Sequence, residues 1–237
     1  MVDIHCHLLY DVDDGADTLK ESLEMLREAC RQGVRAIILT PHYRHGMFYF
    51  DKAVIEENFA VLKPYAKKLG MKLYLGTEYH IDSNCVKYLQ NGRCLTLADS
   101  PYVLSEFSYG TEYSYIRIMV QELLVNGYLP VIAHAERYRC MREHPEYAGE
   151  LQKLGAWIQV NADAVLGLEG WKTKRYVKKL LKNDWVDIVA SDSHNIVNRE
   201  CRLGKCRKYL KRKYGEKCAV TLLEKNPEKI LRARENR

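Results

Sequence analysis

The chain has 237 residues, 47% hydrophobic and 10% aromatic, with a formal net charge of +6. This composition suits a globular core and excludes an extended disordered chain, and the length suits one α/β barrel-type domain or at most two small ones. Its longest apolar stretches, such as Ala36-Ile37-Ile38-Leu39, fall far short of the ~20 residues that cross a bilayer, and Asp3, His5 and His7 interrupt any leader-like start; the expectation is a cytoplasmic protein with no membrane insertion.

Apolar runs alternate with amphipathic stretches. Residues 2–5 read as a short buried strand. A helix over 18–32 follows, with Leu19, Leu23, Leu26 and Ala29 at helical spacing and Gly33 closing it. A second strand, 35–40, ends at Pro41, a helix over 52–69 stops at Gly70, and a third strand covers 72–76. The fourth strand, 102–106, precedes a helix over about 113–126 and a fifth strand at 129–133. A helix at 146–154, a sixth strand at 157–160, a helix at 171–183 and a seventh strand at 186–190 complete the alternation. From about Arg199 the chain reads as helical, with Asn226-Pro227 opening a last short helix. Seven strands alternating with helices predict parallel βα units, and their even spacing suggests closure into a barrel. No linker, repeat or low-complexity segment divides the chain, so a single domain over 1–237 is expected.

The chemistry gathers at the strand ends. Strand one runs into His5-Cys6-His7 and Asp13-Asp14-Gly15, strand two into Pro41-His42, and strand three into Glu78. Strand four ends at Glu106, strand five at His134 with Glu136-Arg137 behind it, and strand seven at Asp192-Ser193-His194. Six of the seven strands thus deliver His, Asp or Glu where α/β barrels keep their catalytic residues. A single histidine there would read as an ordinary hydrogen-bonded residue. The set together reads as a metal site, since imidazole and carboxylate suit Zn²⁺, Mn²⁺ and Fe²⁺ alike.

These residues resemble the nine-ligand pattern of the PHP (polymerase and histidinol phosphatase) family, across nearly the whole chain. Asp11-Val12-Asp13-Asp14-Gly15, Arg31-Gln32-Gly33-Val34, the segment 130–138, Gln159-Val160-Asn161 and the segment 190–195 are similar to the bacterial manganese-dependent protein-tyrosine phosphatases of the CpsB/YwqE type. The resemblance implies a distorted (β/α)7 TIM-like barrel holding three divalent metal ions, Mn²⁺ first, with Fe²⁺ or Zn²⁺ as alternatives. It implies that His5, His7, Glu78 and Asp192 hold one ion, that Glu78 bridges to a second completed by Glu106 and His134, and that Asp14, His42 and His194 hold the third. Asp14 rather than Asp13 is chosen for its place directly before Gly15. The implied reaction is hydrolysis of phosphotyrosine by a hydroxide bridging two ions. The implied partner is a phosphotyrosine protein, an autophosphorylating tyrosine kinase of capsule and exopolysaccharide synthesis that the enzyme opposes.

Arg137 and Arg199 lie in loops beside the expected ligands, where a guanidinium can clamp phosphate bidentately. The catalytic set is then Arg137 and Arg199 with Asp192 and His194, which act through the ions, and no general acid is assigned. A phenolate of pKa about 10 leaves without strong acid help. Tyr43, Arg44, His45, Met47, Phe48, Tyr49 and Phe50, and more weakly Tyr109 and Tyr113, are candidates to flank the substrate ring or to pack on a neighbouring helix.

Competing signals are weaker. The eight cysteines are scattered from 6 to 218 with no CxxC pair, against a disulfide framework or thiolate zinc knuckle. Cys6, between two expected ligands, should point into the core by alternation. Cys201 to Arg207 and Cys206 to Arg212 fit the Cys-x5-Arg pattern of cysteine-based phosphatases, but a double match in a Lys/Arg-rich helix is cheap and no buried strand precedes it. The eight cations of 199–213 read as a solvated helix face or an anion-attracting surface. No nucleic-acid motif accompanies them, so no nucleic-acid partner is expected. The main alternative function is histidinol-phosphate phosphatase on the same metals; a non-catalytic metal-binding protein ranks below it.

Overall fold

The fold is known from a computed structural model that describes residues 1–48 and 51–234; Tyr49 and Phe50 of the aromatic loop lie outside the described residues. The first strand is short, with β1 spanning Val2–Asp3. Leu19–Arg31 forms α1, with Met25, Leu26 and Ala29 on its buried face. The Thr18 hydroxyl accepts from the Glu21 N–H, and the Glu21 carboxylate accepts from the Asp17 N–H. This reciprocal pair fixes the first turn, whose N–H groups have no partner within the helix.

The second and third expected strands each prove to be two. β2 (Ala36–Leu39) stops before Thr40-Pro41 and the chain resumes as β3 (His42–Tyr43). Pro41 has no N–H to give to a ladder. After α2 (Lys52–Lys68), β4 (Lys72–Leu75) stops before Gly76-Thr77 and resumes as β5 (Glu78–His80). A Cβ at Gly76 would lie 2.9 Å from the Leu97 side chain and 3.1 Å from that of Ile38. The strand is pressed against its neighbours there, and glycine is what fits.

The remaining elements follow the expected order: α3 (Cys85–Gln90), β6 (Tyr102–Glu106), α4 (Tyr113–Val125), β7 (Leu129–Ile132), α5 (Arg139–Glu143), α6 (Glu146–Leu154), β8 (Trp157–Asn161), α7 (Ala162–Leu166), α8 (Trp171–Lys182) and β9 (Ile188–Ala190). The chain ends in α9 (Leu203–Tyr214), α10 (Glu216–Val220), a π turn at Thr221–Lys225 and α11 (Asn226–Ala233). The short α3, α5 and α7, of five or six residues, are too brief to carry a helical period in the sequence.

All strand pairs are parallel, in the orders β1-β2-β4 and β3-β5-β6-β7-β8-β9. A parallel bridge joins Cys6 to Ser193, beyond the ends of β1 and β9, with the Asp192 N–H on the His5 carbonyl at 2.9 Å and the His7 N–H on the Ser193 carbonyl at 2.9 Å. The parallel sheet is therefore strongly curled, bringing its first and last strands together.

Alternation along the strands sorts side chains onto two sides. Ile4, Ile38, Leu104, Val131, Ile188 and their neighbours meet in an inner cluster, plugged below by Leu97 and Ile230. Ile37, Leu39, Val103, Ile132, Val160 and Val189 face the helices in the larger outer cluster. At the C-terminal ends of the strands the buried residues become polar: His5, Glu78, His134, Gln159, Asn161 and Asp192. No helix among the described residues is long and apolar enough to cross a membrane.

Candidate metal centre and substrate cleft

The nine expected ligands come from six separate stretches of chain and meet in one place. His5, His7, Glu78 and Asp192 present ligand atoms within 4.8 Å of one another; so do His7, Asp14, His42 and His194, and so do His42, Glu78 and Glu106. Each group could hold a metal ion, and shared members fuse the three. Glu78 is the hub. Its Oε2 lies 3.0 Å from His5 Nε2, 3.1 Å from His7 Nε2 and 3.2 Å from His42 Nδ1. Its Oε1 lies 2.7 Å from His134 Nε2, which is also 3.7 Å from Glu106.

The open choice between Asp13 and Asp14 divides by geometry. Asp14 Oδ1 faces His42 Nε2 at 3.3 Å and His194 Nε2 at 3.5 Å. Asp13 turns away from the cluster, its side chain buried behind His7: it takes the His7 Nδ1–H at 2.7 Å, the His42 backbone N–H at 2.9 Å and the Gly15 N–H at 2.9 Å. Gly15 closes this turn because a Cβ there would meet the His7 backbone at 2.1 Å.

The side chains fit cations better than they fit one another. Glu78 Oε2 is buried with no hydrogen bond despite three imidazole nitrogens around it, and the Nε2 atoms of His5 and His7 stand 3.2 Å apart. Donor atoms aimed at a common point, rather than at each other, are what ligands without their ion look like. The tautomers agree. His5, His7 and His194 use Nδ1 on Gln159 Oε1, Asp13 and the Asp192 carbonyl, all acceptors, so each Nδ1 carries the proton and each Nε2 faces the centre.

The charges are strained in the same sense. Burial lowers the imidazole pKa of His5, but the Glu78 and Asp192 carboxylates outweigh it and hold it at about 9. His7 is likewise brought to about 9, against burial, by Asp13 and Glu78. Burial and the Glu78 charge push the Glu106 carboxyl up to about 7. A divalent cation would replace the protons that hold these carboxylates together. The backbone is strained as well: His134 and Asp192 sit in the left-handed region at φ 31° and 52°, a conformation that costs side-chain-bearing residues about 1–3 kcal/mol.

β8, the strand that delivers no ligand, supplies the layer behind them. Gln159 Oε1 accepts from His5 Nδ1 at 3.2 Å and from the His134 N–H at 2.8 Å. Its amide NH₂ donates to Asn161 Oδ1, and Asn161 Nδ2 donates to Asp192 Oδ2, both at 2.8 Å. These two residues were absent from the expected site. Their signal was available: inward positions of a buried strand that hold amides where the neighbouring strands hold Ile or Ala.

Arg137 and Arg199 both reach Asp192, Arg137 Nη2 at 2.8 Å from Oδ2 and Arg199 Nη2 at 3.1 Å from each oxygen. Each keeps further N–H groups free for an oxyanion. They line a cleft of about 730 Å³ that also holds Asn161, Asp192 and Arg202. Of the other cations in 199–213, Arg202 pairs with Asp163, while Lys205, Arg207 and Lys211 pair with Glu200, Glu216 and Glu224. Most of that run is thus an ion-paired helix face.

The aromatic candidates separate. Tyr43 is buried against Tyr79 and Tyr88, and Tyr113 stacks on Tyr147 and donates to Glu150, so both serve packing. Phe48 stacks on His42 at 5.1 Å, Arg44 lines a cleft beside Glu106, and Met47 and His45 are exposed. Tyr109, 65% exposed, stands at the mouth of the main cleft. All eight cysteines are free thiols. Cys6 is in the core against Ser193. Cys201 and Cys206 are buried, and burial pushes both thiols far up, so neither is the accessible thiolate that a cysteine-based phosphatase attacks with.

Comparison with known proteins agrees with this geometry. The family model for capsular polysaccharide synthesis, CpsB/CapC, matches residues 1–232. The tyrosine-protein phosphatase CpsB of Streptococcus pneumoniae is 37% identical over 238 residues, covering 98% of both chains. The tyrosine-protein phosphatase YwqE of Bacillus subtilis is 34% identical over 234 residues, covering 98% of this chain and 92% of its own. A crystal structure from work on YwqE and CpsB, described as unique metal-dependent tyrosine phosphatases, matches with a TM-score of 0.92 at 33% identity, covering 99% of this chain and 95% of the other. The β-aspartyl dipeptidase of Fervidobacterium islandicum AW-1, 11% identical with a TM-score of 0.63 over 98% of this chain and 74% of its own, shares the fold alone. With its fold and nearly its full length matched, the chain belongs to the CpsB/CapC family of capsular polysaccharide synthesis proteins.

Proposed function

We propose that the protein is a metal-dependent protein-tyrosine phosphatase that opposes a bacterial tyrosine kinase of capsule or exopolysaccharide synthesis. The observation that carries this reading is the fused donor cluster around Glu78 with two arginines on Asp192 at the edge of a cleft. His5, His7, Glu78 and Asp192 would hold one ion, Glu78, Glu106 and His134 a second, and Asp14, His42 and His194 a third. His42 also stands within reach of Glu78, so the second and third sites adjoin. Mn²⁺ is the proposed metal, with Fe²⁺ and Zn²⁺ compatible with the same donors. When bound, such ions supply positive charge for phosphoryl oxygens and lower the pKa of water.

The protein's own groups do the rest. Arg137 and Arg199 bind the outer phosphoryl oxygens and orient the ester for in-line attack. Asp192 holds both guanidiniums at the cleft, and the Gln159–Asn161 layer holds Asp192 and His5. The Asp192 carboxyl, despite burial, is kept far below the usual carboxylate range by His5, Arg137 and Arg199, so it stays a charged acceptor. The phenolate leaves with its charge, as its pKa of about 10 allows.

The whole chain, 1–237, acts as one cytoplasmic domain, a distorted (β/α)7 barrel. Counting β2–β3 and β4–β5 as two interrupted strands gives seven, and the Cys6–Ser193 bridge supports closure. The test is phosphate release from a phosphotyrosyl peptide and from histidinol phosphate, each with Mn²⁺ and with EDTA. Mn²⁺-dependent release from the peptide is expected. A strong preference for histidinol phosphate would transfer the protein to that activity, and release that survives EDTA would remove the metals.

A further inference from the structure

Three clefts open around the centre, and Tyr109 and Arg137 line all of them. The first, described above, contains Asp192 and Arg199; a second, of about 410 Å³, contains Glu106, His134 and Arg44. The third, of about 450 Å³, contains none of the nine proposed ligands. It lies between Tyr109 and Tyr176 and carries Arg139, Arg142 and Lys172, with Arg142 shared with the first cleft.

The charge of this third cleft is unbalanced. Glu143, its one carboxylate, is taken by Arg139 Nε at 2.9 Å. Arg142 and Lys172 are exposed and have no ion-pair partner among the described residues. Tyr176 adds a second, independent sign. The residue is 6% exposed, and its hydroxyl is buried with no hydrogen-bond partner. A buried O–H left unpaired costs about 1–3 kcal/mol, so Tyr176, which lines this cleft, is short of an acceptor. Two unpaired cations and one unpaired hydroxyl donor ask for an oxyanion.

We propose that this third cleft is a subsite for a second anionic group of the same polypeptide, a carboxylate or a phosphate carried a few residues from the phosphotyrosine under attack. The inference rests on the tyrosine-phosphatase reading above and gives it a substrate class: phosphotyrosyl segments with acidic or further phosphorylated neighbours. Arg137 ties the two positions together, since it borders the reaction cleft on one side and the subsite on the other.

The experiment compares kcat/KM, with Mn²⁺, for free phosphotyrosine and three peptides of one sequence: neutral flanks, glutamate flanks, or a second phosphotyrosine. One anion with charge-assisted bonds predicts about a 10-fold advantage over the neutral peptide, carried by KM and shrinking with salt. In the double variant Arg142→Ala/Lys172→Ala the advantage is expected to fall below about 2-fold, and Tyr176→Phe should reduce it in part. An advantage for glutamate flanks alone assigns the subsite to carboxylates; one for the second phosphotyrosine alone assigns it to phosphate. Equal rates on all three peptides overturn the subsite and leave the phosphatase reading standing, and so does an advantage that persists in the double variant. No release from any phosphotyrosyl substrate, free phosphotyrosine included, overturns both.

Discussion

Arg137 spends one Nη2 on Asp192 and stands at the junction of three clefts. Arg137→Ala removes the proposed phosphoryl contacts while leaving all nine proposed metal donors in the chain, so kcat/KM on a phosphotyrosyl peptide should fall by about 10–100-fold, each charge-assisted bond being worth about 1.5–3 kcal/mol. Metal content measured on the same sample should stay at the wild-type level; lost metal would mean that the arginine acts by holding Asp192. Gln159 makes the opposite prediction. Gln159→Leu leaves His5 Nδ1–H and the His134 N–H without their acceptor, and Mn²⁺ affinity by calorimetry should weaken about 10–100-fold, with Gln159→Glu restoring part of it. Unchanged affinity would reduce Gln159 to packing. The donor cluster was legible in the sequence because His, Asp and Glu recurring at successive strand ends suit a metal site and little else. The roles of Gln159, Asn161 and Asp13 were less so, because the groups that Gln159 and Asn161 bond lie far along the chain and the choice between Asp13 and Asp14 depends on how the loop turns.

At the scale of elements, α1 was legible nearly to the residue, since Thr18, the Leu–Ala stripe and Gly33 give cap, face and stop together. Two contributions to its stability can be separated by urea unfolding of the metal-loaded protein. Leu26, fully buried, should cost about 2–5 kcal/mol when cut to alanine. Thr18→Ala, which removes one cap acceptor, should cost about 1 kcal/mol. A larger loss at Thr18 than at Leu26 would mean that the cap, and not the packed face, holds the helix. The strands were legible as hydrophobic runs, but not their interruptions. Pro41 and Gly76 read as strand ends, whereas the chain continues past both as β3 and β5, carrying His42 and Glu78.

For the whole molecule, pH and metal act through the same imidazoles. His5 and His7 are held at about 9, above the ordinary 6.5. In EDTA their stabilising contribution should be complete below about pH 6.5 and lost as pH rises through about 9. Metal binds the neutral rings, so Mn²⁺ affinity should climb over that same window. Melting temperature in EDTA and Mn²⁺ affinity, both measured from pH 6.5 to 9, should therefore move in opposite directions. An affinity flat with pH would mean that the metal-free rings are already neutral. The curled parallel fold was legible from alternation, while the meeting of the first and last strands through Cys6 and Ser193 depends on curvature that no local pattern encodes.

The third cleft shares Arg137, Arg142 and Tyr109 with the reaction cleft but no donor atom of the metal cluster. Lys172, which lines neither of the other two clefts, can therefore drift in sequence without disturbing hydrolysis, whereas Arg137 cannot. A lineage that changes the phosphoprotein it serves has a dial at Lys172 that turns independently of the engine, and divergence between relatives should concentrate there.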